Sequence, residues 1–189
     1  MKKIPTLFRR NYITHHVENE LASPELEWVI SGQREATRKW DGTCCMVRDG
    51  KLWKRYELKK DRVAPLDFEE ADAVDPITGD TVGWVPVDAR LPQDVWHREA
   101  FSKASASGGL QDGTYELCGP KIQGNPEFFD SHVLVRHGNA ILVLIPRTFD
   151  GLKEYLFLHD IEGIVWYHKD GRMAKIKGKD FGLKRTKCP

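Results

Sequence analysis

No stretch of the 189 residues approaches the ~20 consecutive apolar residues that a helix needs to cross a bilayer, so the sequence excludes a membrane-spanning helix. An excess of one charge is also missing: 29 Lys and Arg stand against 28 Asp and Glu, a formal net charge of +1. Overall basicity therefore gives no pointer to nucleic acid. Cysteine is sparse, and Cys44, Cys45, Cys118 and Cys188 form neither a C-x-x-C pair nor a zinc-like spacing. A disulfide framework is thereby disfavoured and reduced, buried thiols are expected. The opening Met1-Lys2-Lys3-Ile4-Pro5 has basic residues but no apolar run behind them, unlike a secretory signal, so the expected address is cytoplasmic. Internal repeats and low-complexity blocks are lacking as well.

What is present is uneven. Between Arg172 and Lys187 the only acid is Asp180 among seven basic residues, whereas acids gather from Asp67 to Asp80. The basic stretch suits either phosphate contacts or a solvated terminal face. Most of the chain reads as short strands parted by Gly and Asp turns. Thr43 to Arg48 and Lys51 to Leu58 flank Asp49-Gly50, a two-residue hairpin signal. Val133 to Val135 and Ala140 to Ile145 flank His137-Gly138-Asn139, and Ile161 to His168 and Arg172 to Lys177 flank a turn with Asp170-Gly171. Helices are expected at Ser23 to Ile30, with Ser23 as N-cap and Pro24 first, and at Phe149 to His159. Val63 to Gly109 reads as an irregular insertion. The sum predicts one α+β domain over residues 1–189, dominated by antiparallel sheet.

Chemistry enters at Lys39-Trp40-Asp41-Gly42. A lysine becomes a nucleophile when burial or neighbouring cations favour its neutral amine, and Gly42 permits a tight turn or close approach to a ligand. Alone, K-x-D-G describes a surface turn. Downstream in order come Tyr115-Glu116-Leu117, Ile161-Glu162-Gly163-Ile164-Val165 and Lys175-Ile176-Lys177. This order resembles the signature of covalent nucleotidyltransferases, the ATP-dependent ligases and capping guanylyltransferases. A narrower resemblance, to the vertebrate 5′-to-3′ RNA ligase 1 family, lies in Asp41-Gly42-Thr43-Cys44-Cys45, Gly83-Trp84-Val85-Pro86-Val87, Gly124-Asn125-Pro126 and Glu162-Gly163-Ile164-Val165-Trp166. It runs in patches from about Thr37 to Leu183, insertion included.

The resemblance implies a nucleotidyltransferase domain on antiparallel β-sheets with few helices, here without a C-terminal OB domain. It makes Lys39 the nucleophile, with Asp41 and Gly42 in its motif; Glu116 binds ribose, Glu162 places the metal, and Lys175 and Lys177 contact phosphates. An arginine after the first motif contacts the nucleotide or RNA end, and Arg55 is the candidate, with Arg48 and Lys54 as surface alternatives. Implied cofactors are ATP and Mg²⁺, with Mn²⁺ as a substitute. The implied partner is RNA with 5′-phosphate and 3′-hydroxyl ends, tracked by Lys184, Arg185 and Lys187, with no membrane and no obligatory protein partner. One departure is Arg38, where related RNA ligases often carry an acid before the nucleophile.

Strand geometry offers an independent expectation. If Asp170-Gly171 is a two-residue loop, Trp166 pairs with Lys175 and Ile164 with Lys177, and alternation brings Glu162 to their face. Trp166 would share that face and could stack on adenine, although a core tryptophan is the commoner role. A three-residue loop would exchange the faces. In the first hairpin, Arg55 falls opposite Cys44. His137 reads as a turn residue. The expected reaction is RNA joining through a lysyl-adenylate on Lys39; the competing readings are a GTP-dependent capping guanylyltransferase and a non-catalytic RNA-end binding module.

Overall fold

The computed structural model describes residues 2–32 and 35–185. The chain runs β1 (Phe8–Arg10), β2 (Val17–Leu21), α1 (Glu27–Ile30), β3 (Ala36–Lys39), β4 (Thr43–Arg48), β5 (Lys51–Leu58), β6 (Glu69–Glu70), β7 (Thr81–Pro86), α2 (Val95–Ala106), β8 (Gly113–Cys118), β9 (Val133–Arg136), β10 (Ile141–Leu142), α3 (Phe149–Leu158), β11 (Gly163–Tyr167) and β12 (Met173–Lys177). It is α+β, with antiparallel sheets and few helices, and among the described residues no helix is long and apolar enough to cross a membrane. Two compact units emerge. One centres on Asp41–His137; the other combines Ile4–Trp40 with residues 138–185.

In the first unit a six-stranded sheet has the order β6-β7-β5-β4-β8-β9. Asp49 and Gly50 form the expected two-residue loop, both at positive φ (52° and 67°), and Arg48 pairs with Lys51. One face carries Cys45, Val47, Leu52, Tyr115 and Leu117 into a core that α2 covers with Ala100 and the half-buried Trp96 and Phe101. Residues 63–109, expected to be irregular, hold both β7 and α2. The helix escapes pattern reading because its buried positions are His97 and Ala100, too weakly apolar to mark a period. Lys54, expected on the surface, is instead half-buried and forms an ion pair with the buried Asp94 just ahead of α2.

The second unit has a two-stranded sheet, β1-β2, and a four-stranded sheet of order β10-β3-β11-β12. β9 and β10, which flank a turn in sequence, belong to different sheets. Ser23 caps a short 3-10 turn at Pro24–Leu26 that leads into α1, its hydroxyl accepting from the Glu25 N–H at 3.3 Å. α3 starts at the Thr148 cap and buries Leu152 and Leu156, four residues apart on one face. These leucines pack with Leu7, Trp28, Ile164, Trp166 and Ile176. The outer edge of β12 is covered by the N-terminal segment: the Leu7 N–H donates to the Lys175 carbonyl at 2.7 Å, and the Lys175 N–H donates to Pro5 at 3.0 Å.

The β11–β12 hairpin corrects the expected register. The loop has three residues, not two, because the His168 N–H donates to the Arg172 carbonyl (2.8 Å) and the Asp170 carboxylate accepts from the Arg172 N–H (3.0 Å). Pairing is therefore Val165 with Lys175, Trp166 with Ala174 and Gly163 with Lys177. The one-residue slip sends Ile164 and Trp166, in place of Val165 and Tyr167, into the core beside Ala174 and Ile176, and leaves the lysines on the opposite face.

Candidate functional site

Three lysines meet around one carboxylate in the second unit. β3, β11 and β12 align Lys39, Gly163 and Lys177 in one row, and Thr37, Val165 and Lys175 in the next. Alternation puts all six on one face. Gly163 is what lets the outer lysines converge: a Cβ there would lie 2.2 Å from the Ile176 carbonyl oxygen. Glu162 sits in the bend just before β11, so its side chain reaches the lysine face despite the altered register. One carboxylate oxygen accepts from Lys39 and the other from Lys177 at 3.0 Å. The Glu162 carbonyl also accepts the Gly178 N–H at 3.0 Å, pinning the bend to the end of β12.

The electrostatics follow from crowding. Burial alone would raise the Glu162 carboxyl, but the charges and hydrogen bonds of Lys39 and Lys177 outweigh it and hold it below its ordinary value. Burial is also the largest influence on Lys175, joined by repulsion from Lys177 and Lys39; together they pull its ammonium down to about 8 against the attraction of Glu162 and Asp180. Three ammonium groups facing one carboxylate leave an excess of positive charge that suits an anion and makes loss of a proton easier.

A second cluster lies in the first unit, on the sheet face opposite its core. Cys44 pairs with Glu116 across β4 and β8. The buried Glu116 carboxylate accepts the Gly42 N–H at 3.1 Å and contacts His137 Nε2 at 2.8 Å. Gly42 is required there, since a Cβ would stand 2.1 Å from the Leu117 carbonyl oxygen. The Asp41 N–H donates to Glu127 at 2.9 Å. Arg55 follows the last paired residue of its hairpin, in the register expected opposite Cys44, and lays its guanidinium over Trp84, 5.5 Å from the ring centre.

The structure thus brings Lys39, Lys175, Lys177 and Glu162 together in one unit, and Asp41, Gly42 and Glu116 near one another in the other. Trp166, in contrast, is buried in the core on the far face from the lysines. Lys184 is exposed, whereas Arg185 is engaged by Asp160, donating at 3.2 Å to its carboxylate and 2.9 Å to its carbonyl. Lys187 lies outside the described residues. Arg38 stacks over Trp40, 4.3 Å from the ring centre. Sequence reasoning missed the roles of Gly163, Glu127 and His137. Gly163 was legible as the glycine directly after a candidate metal ligand, whereas Glu127 carried no signal at all.

Comparison with known proteins finds similar sequences. RNA ligase 1 of Pongo abelii is 26% identical over 221 aligned positions, covering 78% of this chain and 67% of that protein. The Rattus norvegicus protein of the same name matches at 26% with the same coverage, and that of Danio rerio at 25% over 79% of this chain. The chain is close to the RNA ligase 1 family. No family model matches it. The 221 aligned positions exceed the 189 residues available, so the RNA ligase 1 proteins carry segments that this chain lacks within the aligned region.

Proposed function

We propose that this chain is an ATP-dependent RNA ligase with a nucleotidyltransferase adenylation fold, working through an adenylate carried on Lys39. The observation that carries the reading is the clustering of Lys39, Lys177 and Lys175 around Glu162, in a chain similar to proteins named RNA ligase 1. In the first step Lys39 Nζ attacks the α-phosphorus of ATP: an N–P bond forms, the bond to pyrophosphate breaks, and the amine proton leaves. An oxygen of an RNA 5′-phosphate then takes the adenylyl group and frees Lys39. Finally a 3′-hydroxyl attacks that 5′-phosphate, AMP departs, and a phosphodiester remains. Such transfers depend on alignment and on neutralising charge spread over phosphate oxygens.

The residues have separable tasks. Glu162 holds the Lys39 ammonium at rest, and the excess positive charge favours the state with one proton fewer, from which an amine attacks. Lys175 and Lys177 offer fixed charge to the phosphates, and Glu116 is positioned by Gly42 and His137 as an acceptor for a ribose hydroxyl. The two oxygens of Glu162 already face ammonium groups, so a Mg²⁺ ion fits this donor set only when it arrives with nucleotide phosphates, as that ion commonly does. When bound it would neutralise phosphate charge as a Lewis acid beside Glu162. Arg55 and Lys184 are proposed to meet the nucleotide or the RNA end.

The test is to incubate purified protein with α-labelled ATP or GTP and Mg²⁺, denature it and look for retained label. Label from ATP and not GTP, released by acid as a P–N bond is, and absent in Lys39→Ala, is expected. Lys39→Arg should not rescue, because its guanidinium stays protonated. Labelling of Lys39→Ala equal to the parent would overturn the assignment. Label from GTP alone would replace the ligase with a capping guanylyltransferase.

A further inference from the structure

The cluster of Cys44, Glu116 and His137 contains more donor chemistry than ribose recognition needs. Three adjacent strands place these side chains on one face. Cys44 and Glu116 are direct partners across β4 and β8, and Glu116 pairs with Val135 on β9. His137 follows two residues after Val135, held at the strand end by its N–H on the Thr114 carbonyl at 3.1 Å. One ligand atom from each residue lies within 4.8 Å of the others. Tetrahedral zinc, with bonds of about 2.0–2.3 Å, needs its ligand atoms roughly 3.3–3.8 Å apart. Closing that difference would fall to side-chain rotation, since adjacent strands set the positions of Cys44 and Glu116.

One further observation points to a ligand. Glu116 is buried, so its charge requires compensation. Sulfur, imidazole and carboxylate together select a borderline-soft ion of the Zn²⁺ type over Mg²⁺, which prefers all-oxygen sites.

We propose that Cys44 Sγ, Glu116 and His137 Nε2 form a three-ligand site for a thiophilic divalent cation, with the fourth position open to water or an incoming ligand. Zinc binding replaces the Glu116–His137 hydrogen bond with two metal bonds and releases the thiol proton. The metal site stands on its own geometry. Its consequence rests on the ligase reading: a Glu116 engaged by zinc is no longer available to ribose, so zinc opposes nucleotide binding.

The experiment is a titration of the reduced, nucleotide-free full chain with Co²⁺, followed by displacement with Zn²⁺. A 1:1 near-ultraviolet band from a cobalt–thiolate bond is expected. Cys44→Ser, an almost isosteric change, should abolish it, and His137→Gln should weaken binding at least ~10-fold, as loss of metal support does. Cys188→Ser and Lys39→Ala should both retain the band, the latter showing that the site survives failure of the adenylate reading. Absence of the band, its persistence in Cys44→Ser, or its loss in Cys188→Ser would overturn the site. Zinc at a saturating level should slow ATP labelling in the parent and not in Cys44→Ser; equal inhibition of both would overturn the competition.

Discussion

Replacing Lys175 by Met should make the protein more stable while damaging its chemistry. The side chain is half-buried on β12, and its ammonium is pulled from an ordinary 10.5 to about 8. At about 1.4 kcal/mol per unit, the charged form is disfavoured in the folded state by at most about 3.5 kcal/mol. The sign follows from proton counting. Below pH 8 both folded and unfolded states hold the proton, and the full penalty is present. Between about 8 and 10.5 the folded state has released it while the unfolded state retains it, so stability rises with pH. Above 10.5 both are neutral and the penalty is gone. Met has similar length and no charge, and the backbone bonds of residue 175 to Pro5 and Leu7 are untouched by the change. Urea unfolding at pH 7 should therefore show Lys175→Met more stable than the parent by about 1–3 kcal/mol, the gap closing toward pH 10.5. If Lys175 faces phosphates as proposed, RNA joining should fall ~10²-fold with loss of its charge. A variant less stable at pH 7, or a gap independent of pH, would refute the reasoning.

Glu162→Gln keeps the shape and removes the charge between Lys39 and Lys177. It should cost about 2 kcal/mol at pH 7, less than a wholly buried pair would. Because the folded carboxyl titrates below its usual 4.5, the parent's advantage is present above that value and is lost as pH falls through the lower folded one; denaturant midpoints across pH 3–7 read this directly. Gly163→Ala drives a methyl to 2.2 Å from the Ile176 oxygen, so a loss of about 3 kcal/mol is expected, and an unchanged melting temperature would contradict the packing described. Lys184→Ala should flatten the log–log salt dependence of single-stranded RNA binding by about 0.7, the value for one phosphate contact. Arg185→Ala should leave that slope unchanged, since Asp160 holds its guanidinium.

Short-range signals made much of this molecule readable. Asp49-Gly50 fixed the first hairpin because both residues accept positive φ, and from it the register of Arg55 followed. Ser23-Pro24 marked a helix start, and the Leu152–Leu156 spacing marked α3. The Asp170-Gly171 turn misled because a side chain joins the backbone in setting its length: beside the His168–Arg172 backbone bond, the Asp170 carboxylate accepts the Arg172 N–H across a third loop residue, which no dipeptide rule anticipates. Glu162 nevertheless met its lysines because it precedes the strand and escapes strict alternation. α2 stayed hidden behind a buried histidine and alanine, and Glu127 reaches the Asp41 amide from 86 residues away, a relation no local pattern carries. The position of Trp166 shows the same limit, since one residue of slip decided between solvent and core.

That slip has a bearing on how such a chain can drift. The turn between His168 and Arg172 is exposed, remote in sequence from Lys39, and free of any candidate chemistry, which would ordinarily make it tolerant of insertion and deletion. Yet its residue count has a parity. Dropping one residue while β11 stays seated would present Ile176 and Gly178 where Lys175 and Lys177 now stand, and would drive two ammonium groups toward Leu152 and Trp166. Substitutions in this turn should be nearly neutral, whereas single-residue indels should be as damaging as changes to the lysines themselves. A piece of surface with no ligand of its own is thereby placed under the selection that acts on the reaction.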